Sequence, residues 1–283
     1  MDSKQRLIEV LSLPSFSGKE SRVSDYITKF CHEHGIDTYM DTHGNVYATK
    51  GEADFYPCVV SHIDTVHRIT EIVVKENDYG DLYAETPDGV PTGIGGDDKA
   101  GVFVCLEMLL HAEVLKAAFF VAEEVGCLGS YLSDPKFFEN VGYAIQFDAP
   151  FNNWISYHSD GERLFEIYSS FFLTIEEIFK TDMPGYDRTK CLGYHPYTDV
   201  SALKRLYDFS CINYSVGYYN MHSRTEYVVI DETFACLEMA KKMVAALGNQ
   251  KYQLPPKGIV TEGIKERVAR RLVQFKLPET DHK

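Results

Sequence analysis

Cys58-Val59-Val60-Ser61-His62-Ile63-Asp64 is an apolar run that ends in an imidazole and a carboxylate. Two later runs have the same form: Ala117-Ala118-Phe119-Phe120-Val121-Ala122-Glu123-Glu124 and Tyr143-Ala144-Ile145-Gln146-Phe147-Asp148. Short apolar runs of this kind, rich in β-branched and aromatic residues, read as buried strands. Between the first and second lies Gly95-Gly96-Asp97-Asp98-Lys99, where a helix should begin, and His222 follows Tyr218-Tyr219-Asn220-Met221. A parallel sheet gathers its functional residues at the carboxyl ends of its strands. Five such clusters meeting there form a cage of carboxylates and imidazoles. That composition suits divalent metal, and above all two zinc ions.

Outward from these runs, helices and strands alternate. Ser17 is placed to cap a helix with Val23, Tyr26, Ile27 and Phe30 on one face, stopping near Gly35. Residues 37–40 and 45–48 read as strands joined by a tight turn, followed by the strand 57–62, a polar meander at 69–86 and a Gly-rich turn at 93–96. Val102, Leu106, Leu109 and Leu110 give 98–111 helical spacing. Then come a strand (117–122), a short helix (127–133) and a strand (143–147). Further on, 168–180 reads as helix, 181–197 as a turn-rich loop, 199–206 as helix and 209–217 as strand. Asp231 is expected to cap a final helix that buries Phe234, Leu237, Ala240, Val244 and Leu247 and ends at Gly248. A basic amphipathic helix is expected at 262–275. The fold class is therefore α/β: one globular domain over 1–283, with a mostly parallel mixed central sheet and helices on both faces. Residues 249–283 form a C-terminal tail.

The bulk composition narrows the function. The chain has 283 residues, 45% hydrophobic and 25% charged, which is ordinary for a soluble globular protein. No stretch is apolar enough to span a membrane, and the start, Met1-Asp2-Ser3-Lys4-Gln5-Arg6, lacks an apolar signal region. A formal net charge of -14 argues against nucleic acid as a partner. The seven cysteines are scattered, odd in number and never spaced as CxxC. They read as reduced thiols of a cytoplasmic protein, and any metal should sit on nitrogen and oxygen.

Each cluster has a plain reading beside the chemical one. A single His near a strand end is commonly structural. Adjacent acids before a helix can be a cap and a favourable first-turn charge, although this explains one Asp better than two in tandem after glycines. Glu123-Glu124 can be the solvated start of a loop. The chemical alternative is a division of labour in which one Glu ligates and the other takes a proton from an activated water. Asp148 can be a turn residue, and His222 to Glu226 plain surface. All five plain readings holding together, in this order, is the improbable case.

The matched pieces are His62-Ile-Asp64, Gly96-Asp97-Asp98-Lys99, Glu123-Glu124-Val-Gly-Cys-Leu-Gly129-Ser130, Asp148 and His222-Ser-Arg-Thr-Glu226. In that order they resemble the co-catalytic di-zinc exopeptidases and amidohydrolases, which include leucyl and glutamyl aminopeptidases, peptidase T and the aminoacylases. The resemblance implies the zinc-exopeptidase, phosphorylase/hydrolase-like fold. It implies His62 and Asp148 as terminal ligands of one zinc, Glu124 and His222 as those of the other, and Asp97 as the bridge, next to a cis bond to Asp98. Glu123 would be the general base and later the acid, and Asp64 would orient His62. Co2+ or Mn2+ would suit the same ligands. Peptidase T and the aminoacylases carry a lid domain between the positions of Asp148 and His222. Here the interval is too short for one, so 149–198 is expected to be a short remnant or loop.

The implied activity is metal-dependent hydrolysis of an amide bond, chiefly removal of the N-terminal residue of a short peptide. An N-acyl amino acid amidohydrolase is the alternative, and a non-catalytic metal-binding protein is a second. Within Tyr194-His195-Pro196-Tyr197-Thr198-Asp199, His195 and Asp199 are the candidate substrate contacts. The tail helix either packs on the domain or mediates homo-oligomer assembly.

Overall fold

The strands Tyr56–His62, Leu115–Phe120 and Val141–Ala149 are buried at every position. A strand without an exposed face must be covered on both sides, which requires a layered α/β arrangement. The structure, a computed structural model, describes residues 2–255. The expected helix at 262–275 lies outside them.

The three strands and Ser210–Ser215 form the parallel centre of a nine-stranded sheet. Its margins are largely antiparallel. Asp37–Met40 and Val46–Lys50 extend one edge, and Ile155–Ser159 with Glu162–Arg163 the other. Leu192–His195 pairs parallel with Ile155–Ser159. The helix Gly96–His111 packs on the central strands, with Ser3–Leu11 and Ile230–Leu247 beside it. Asp199–Leu206 packs on the strands Tyr56–His62, Val141–Ala149 and Ser210–Ser215, with Leu128–Tyr131 beside it. The sheet is thus mixed, with a parallel core and helices on both faces.

The register explains why the clusters meet. His62 pairs with Phe120, and Val60 pairs with Gln146. Two residues beyond Val60 and Gln146, adjacent strands therefore reach His62 and Asp148 at the same height. A second, antiparallel sheet contains Val73–Glu76, Leu82–Glu85, Pro91–Thr92, Tyr218–Tyr219 and Tyr227–Val228. Its 218–228 hairpin carries His222.

Four expectations need correction. Ser17 does not cap the helix Ser21–Glu33, whose N-cap is Glu20; its hydroxyl donates to Asp64 instead. Asp231 lies inside the first turn of Ile230–Leu247, where an acid still favours the helix dipole, and Val229 takes the cap position. The 149–198 segment is neither a remnant nor a loop. It supplies three strands of the main sheet, and its helix Ser170–Asp182 packs on the final helix. Within it, the expected 181–197 loop holds the helix Arg188–Cys191 and the strand Leu192–His195. That strand sits at the sheet's margin with mostly half-exposed side chains, so it lacks the buried alternation that identifies a strand in sequence.

Candidate functional site

Asp97 lies at the start of the long helix, where its backbone (φ -80, ψ 101) and that of Asp98 (φ -117, ψ 32) are not helical, and their shared peptide bond is cis. The two Asp97 oxygens face opposite partners. Oδ1 lies 3.0 Å from His62 Nε2, and Oδ2 lies 3.2 Å from His222 Nε2. His62 Nε2 is also 3.4 Å from Asp148 Oδ1, and His222 Nε2 is 3.1 Å from Glu124 Oε2. The five expected ligand residues therefore form one continuous chain of contacts, Asp148–His62–Asp97–His222–Glu124. Donor atoms of His62, Asp97 and Glu124 lie within 4.8 Å of one another, as do those of His62, Asp98 and Asp148. Asp98 is already engaged, because its Oδ2 accepts the His62 N–H and its Oδ1 the Gly101 N–H.

Glu123 stands in the same cleft without pairing to either histidine. The strand stops at Phe120, and the chain turns through Ala122 with φ 55. Asp64 holds that turn: its carboxylate accepts the N–H groups of Glu123 at 2.9 Å and Glu124 at 3.3 Å, and the Ser17 hydroxyl at 2.7 Å. His62 Nδ1 bonds the Asp64 backbone carbonyl at 2.9 Å, closer than the Asp64 carboxylate at 3.5 Å. Asp64 thus meets His62 mainly through its backbone, while its side chain anchors the glutamates.

The charge balance of the protein groups is uneven. Burial, joined by neighbouring carboxylates, raises the carboxyls of Glu123, Glu124, Asp98 and Asp148 above their ordinary range. Burial also opposes ionisation of Asp97, but hydrogen bonds from His222 and His62 outweigh it and hold that carboxyl low. Contacts to Asp97 and Glu124 push His222 up to about 11. Lys99, though adjacent in sequence, turns away and donates to the carbonyls of Leu11 and Leu13. No lysine or arginine among the described residues lines the cleft. Glu124 Oε1 is buried with no hydrogen-bond partner. Clustered buried carboxylates with no lysine or arginine among the described residues to neutralise them, one with a buried unpartnered oxygen, fit a divalent cation.

The cleft has a volume of about 560 Å³. Asp97, Glu123, Glu124, Asp148 and His222 form its acidic floor, and His195 stands in its wall. Asp199, the other expected substrate contact, does not reach the cleft. It is fully buried, bonds Gln146 at 3.1 Å, and has its carboxyl pushed up to about 6 by burial.

A solved structure with the same architecture is a tripeptidase from Staphylococcus aureus, 11% identical, with a TM-score of 0.70 over 86% of this chain and 96% of that one. The chain has the fold of that peptidase. Among curated proteins, it is 24% identical over 151 residues to the [LysW]-lysine hydrolase of Deinococcus radiodurans, covering 52% of this chain and 37% of the relative. It is 31% identical over 136 residues to a protein of Emericella nidulans described as a probable carboxypeptidase, covering 43% of this chain and 31% of the relative. The chain spans about a third of the length of the curated relatives it matches. No family model matches it.

Around this peptidase-fold site lie supporting contacts that no motif in the sequence specifies. The Glu226 carboxylate clamps the Asp97 loop, accepting the Gly95 N–H at 2.9 Å and the Asp97 N–H at 3.1 Å, and it pairs with His67 at 2.8 Å. Asn213 Oδ1 accepts the Asp148 N–H at 2.9 Å, and Gln146 Nε2 lies 3.3 Å from Asp148 Oδ2. A signal existed for both: Gln146 and Asn213 are polar residues inside otherwise buried strands, where an amide needs a specific partner.

Proposed function

We propose that the protein is a metal-dependent exopeptidase that removes the N-terminal residue of short peptides. The observation that carries this reading is the Asp97 carboxylate set between His62 and His222, with Glu123, which pairs with neither histidine, in the same cleft. His62 and Asp148 would hold one divalent ion and Glu124 and His222 the other, with Asp97 shared. Zn2+ best suits two imidazoles and three carboxylates, and Co2+ or Mn2+ would also bind. The bound metal would supply Lewis acidity to the scissile carbonyl and to water.

Glu123 is the group left to move the proton. Its carboxylate takes a proton from the attacking water and returns it to the nitrogen of the leaving amine. Asp64 fixes the Glu123 backbone, so the carboxylate enters the cleft from a rigid turn.

The choice of peptide end follows from charge. No lysine or arginine among the described residues lines the cleft, so no side-chain cation is placed there to pair a substrate's terminal carboxylate. This supports an aminopeptidase above a carboxypeptidase or an N-acyl amino acid amidohydrolase, both of which must accept a free carboxylate. The presence of Glu123 weighs against a non-catalytic metal protein. His195 remains the candidate substrate contact in the wall. Seven buried free thiols support a reducing, cytoplasmic setting.

The test is a tripeptide assay on protein stripped with chelator and reloaded with Zn2+, Co2+ or Mn2+. Cleavage of free tripeptides that vanishes on stripping, returns with metal and spares N-acetylated peptides is expected. Exclusive cleavage of N-acyl amino acids would replace the aminopeptidase reading with the amidohydrolase one.

A further inference from the structure

The walls of the cleft differ sharply from its floor. Phe151, Tyr194, Tyr197 and Met221 line it while 44%, 59%, 47% and 42% exposed, and Trp154 stands among them. Single exposed apolar residues are ordinary on a protein surface, but five converging on one acidic floor form a patch that marks a binding site.

Two of the five are held in place at a structural cost. Phe151 has φ 67, a left-handed conformation that disfavours a bulky residue by about 1–3 kcal/mol. Two backbone bonds hold it there: its N–H donates to Tyr218 O at 3.1 Å, and its carbonyl accepts from Gly217 at 2.9 Å. The ring lines the cleft and touches Tyr219 edge-on at 5.5 Å. Trp154 packs against the strand Leu192–His195 at Gly193. A Cβ there would sit 2.0 Å from indole Cζ2, so only glycine lets the indole occupy this position.

We propose that these walls select the substrate, and that the protein prefers short peptides whose N-terminal side chain is large and apolar, aromatic or leucine-like. This rests on the exopeptidase reading of the same cleft. The aromatic and apolar wall takes the side chain, and a charged carboxylate set against that wall loses hydration without gaining a partner.

Two measurements on the metal-loaded protein test it. The first compares kcat/KM for Gly-Gly-Gly, Leu-Gly-Gly, Phe-Gly-Gly and Glu-Gly-Gly. The leucine and phenylalanine peptides should exceed the glycine peptide by at least about tenfold, with the glutamate peptide poorest. Phe151→Ala should shrink the phenylalanine-to-glycine ratio. The second uses Trp154, the chain's single tryptophan, as a fluorescence reporter, with calorimetry alongside. L-phenylalaninol and L-leucinol, which cannot be hydrolysed, should bind at least about tenfold more tightly than ethanolamine. A flat tripeptide profile, a preference for Glu-Gly-Gly, or equal or absent binding of the amino alcohols would overturn the proposal. If no tripeptide is cut while the amino alcohols bind in the expected order, the peptidase reading fails and the apolar specificity of the cleft stands.

Discussion

The Asp64 carboxylate accepts the backbone N–H of Glu123 at 2.9 Å. One side chain thereby links the strand that carries His62 to the turn that carries both glutamates, and it also receives Glu124 N–H and the Ser17 hydroxyl. Asp64→Ala removes the acceptor of three donors, two of them backbone. Each buried donor left unmet costs about 1–3 kcal/mol. The expected outcome is a loss of roughly 3 kcal/mol in urea unfolding, together with a 10–100-fold weaker metal affinity of the kind supporting groups control. Metal affinity and stability equal to wild type would show that the turn is held by other contacts.

His222 meets both Asp97 and Glu124 from a half-exposed position on the 218–228 hairpin. His222→Ala should lower the bound metal from two equivalents toward one, as read by elemental analysis after dialysis. Two full equivalents remaining would remove His222 from the ligand set.

Gly96 is where the Asp97 loop touches the hairpin that carries His222. A Cβ at this position would lie 2.6 Å from Val228 Cγ2 and 2.8 Å from Tyr218 Cβ. Gly96→Ala should push loop and hairpin apart and cost about 1–3 kcal/mol by overpacking. A larger relative loss is expected in metal affinity than in the urea midpoint. Unchanged metal binding would show that the hairpin yields without moving His222.

Glu20 is buried behind the site, and its Oε1 accepts the Gly18 N–H at 2.8 Å. Burial, helped by the charge of Asp64, pushes its carboxyl from 4.5 up to about 7. An acid with a raised folded pKa holds its proton more tightly in the folded state. Its contribution to stability is therefore greatest below pH 4.5 and declines as pH rises toward 7, by about 3 kcal/mol in all. Glu20→Gln keeps an acceptor oxygen and removes the titration. The variant should gain stability over wild type at pH 8 and differ little at pH 4.5, as read from urea midpoints. An equal effect at both values would contradict this account.

The site was legible because its chemistry sits on the strongest pattern in the chain. An ionisable residue in a fully buried strand needs a specific partner, so His62 and the Glu123-Glu124 pair, each closing an apolar run, mark the carboxyl edge of the sheet. The supporting layer was less visible. Ser17 and Asn213 act through hydrogen bonds to residues far away in sequence, Gln146 joins nearby Asp148 to distant Asp199, and no local spacing encodes the long-range pairings. Glu226 was visible as part of a motif, but its clamp on the Asp97 loop depends on the second sheet. In sequence its first strands read as a polar meander, since Val73–Glu76 is largely exposed and lacks a buried alternation. The first helix, Ser3–Leu11, buries Leu7, Val10 and Leu11 at helical spacing, a signal present in the sequence. The strand Leu192–His195 carried no such signal.

The most direct test of the central claim is Glu123→Ala, measured for both metal content and turnover. Glu123 pairs with neither histidine, so its removal should leave the metal ligands in place. The account predicts two equivalents of bound metal, as in wild type, and a kcat on tripeptides lowered by about 10²–10⁴-fold, the scale of a lost general base. Wild-type turnover in a variant that still holds its metal would contradict it.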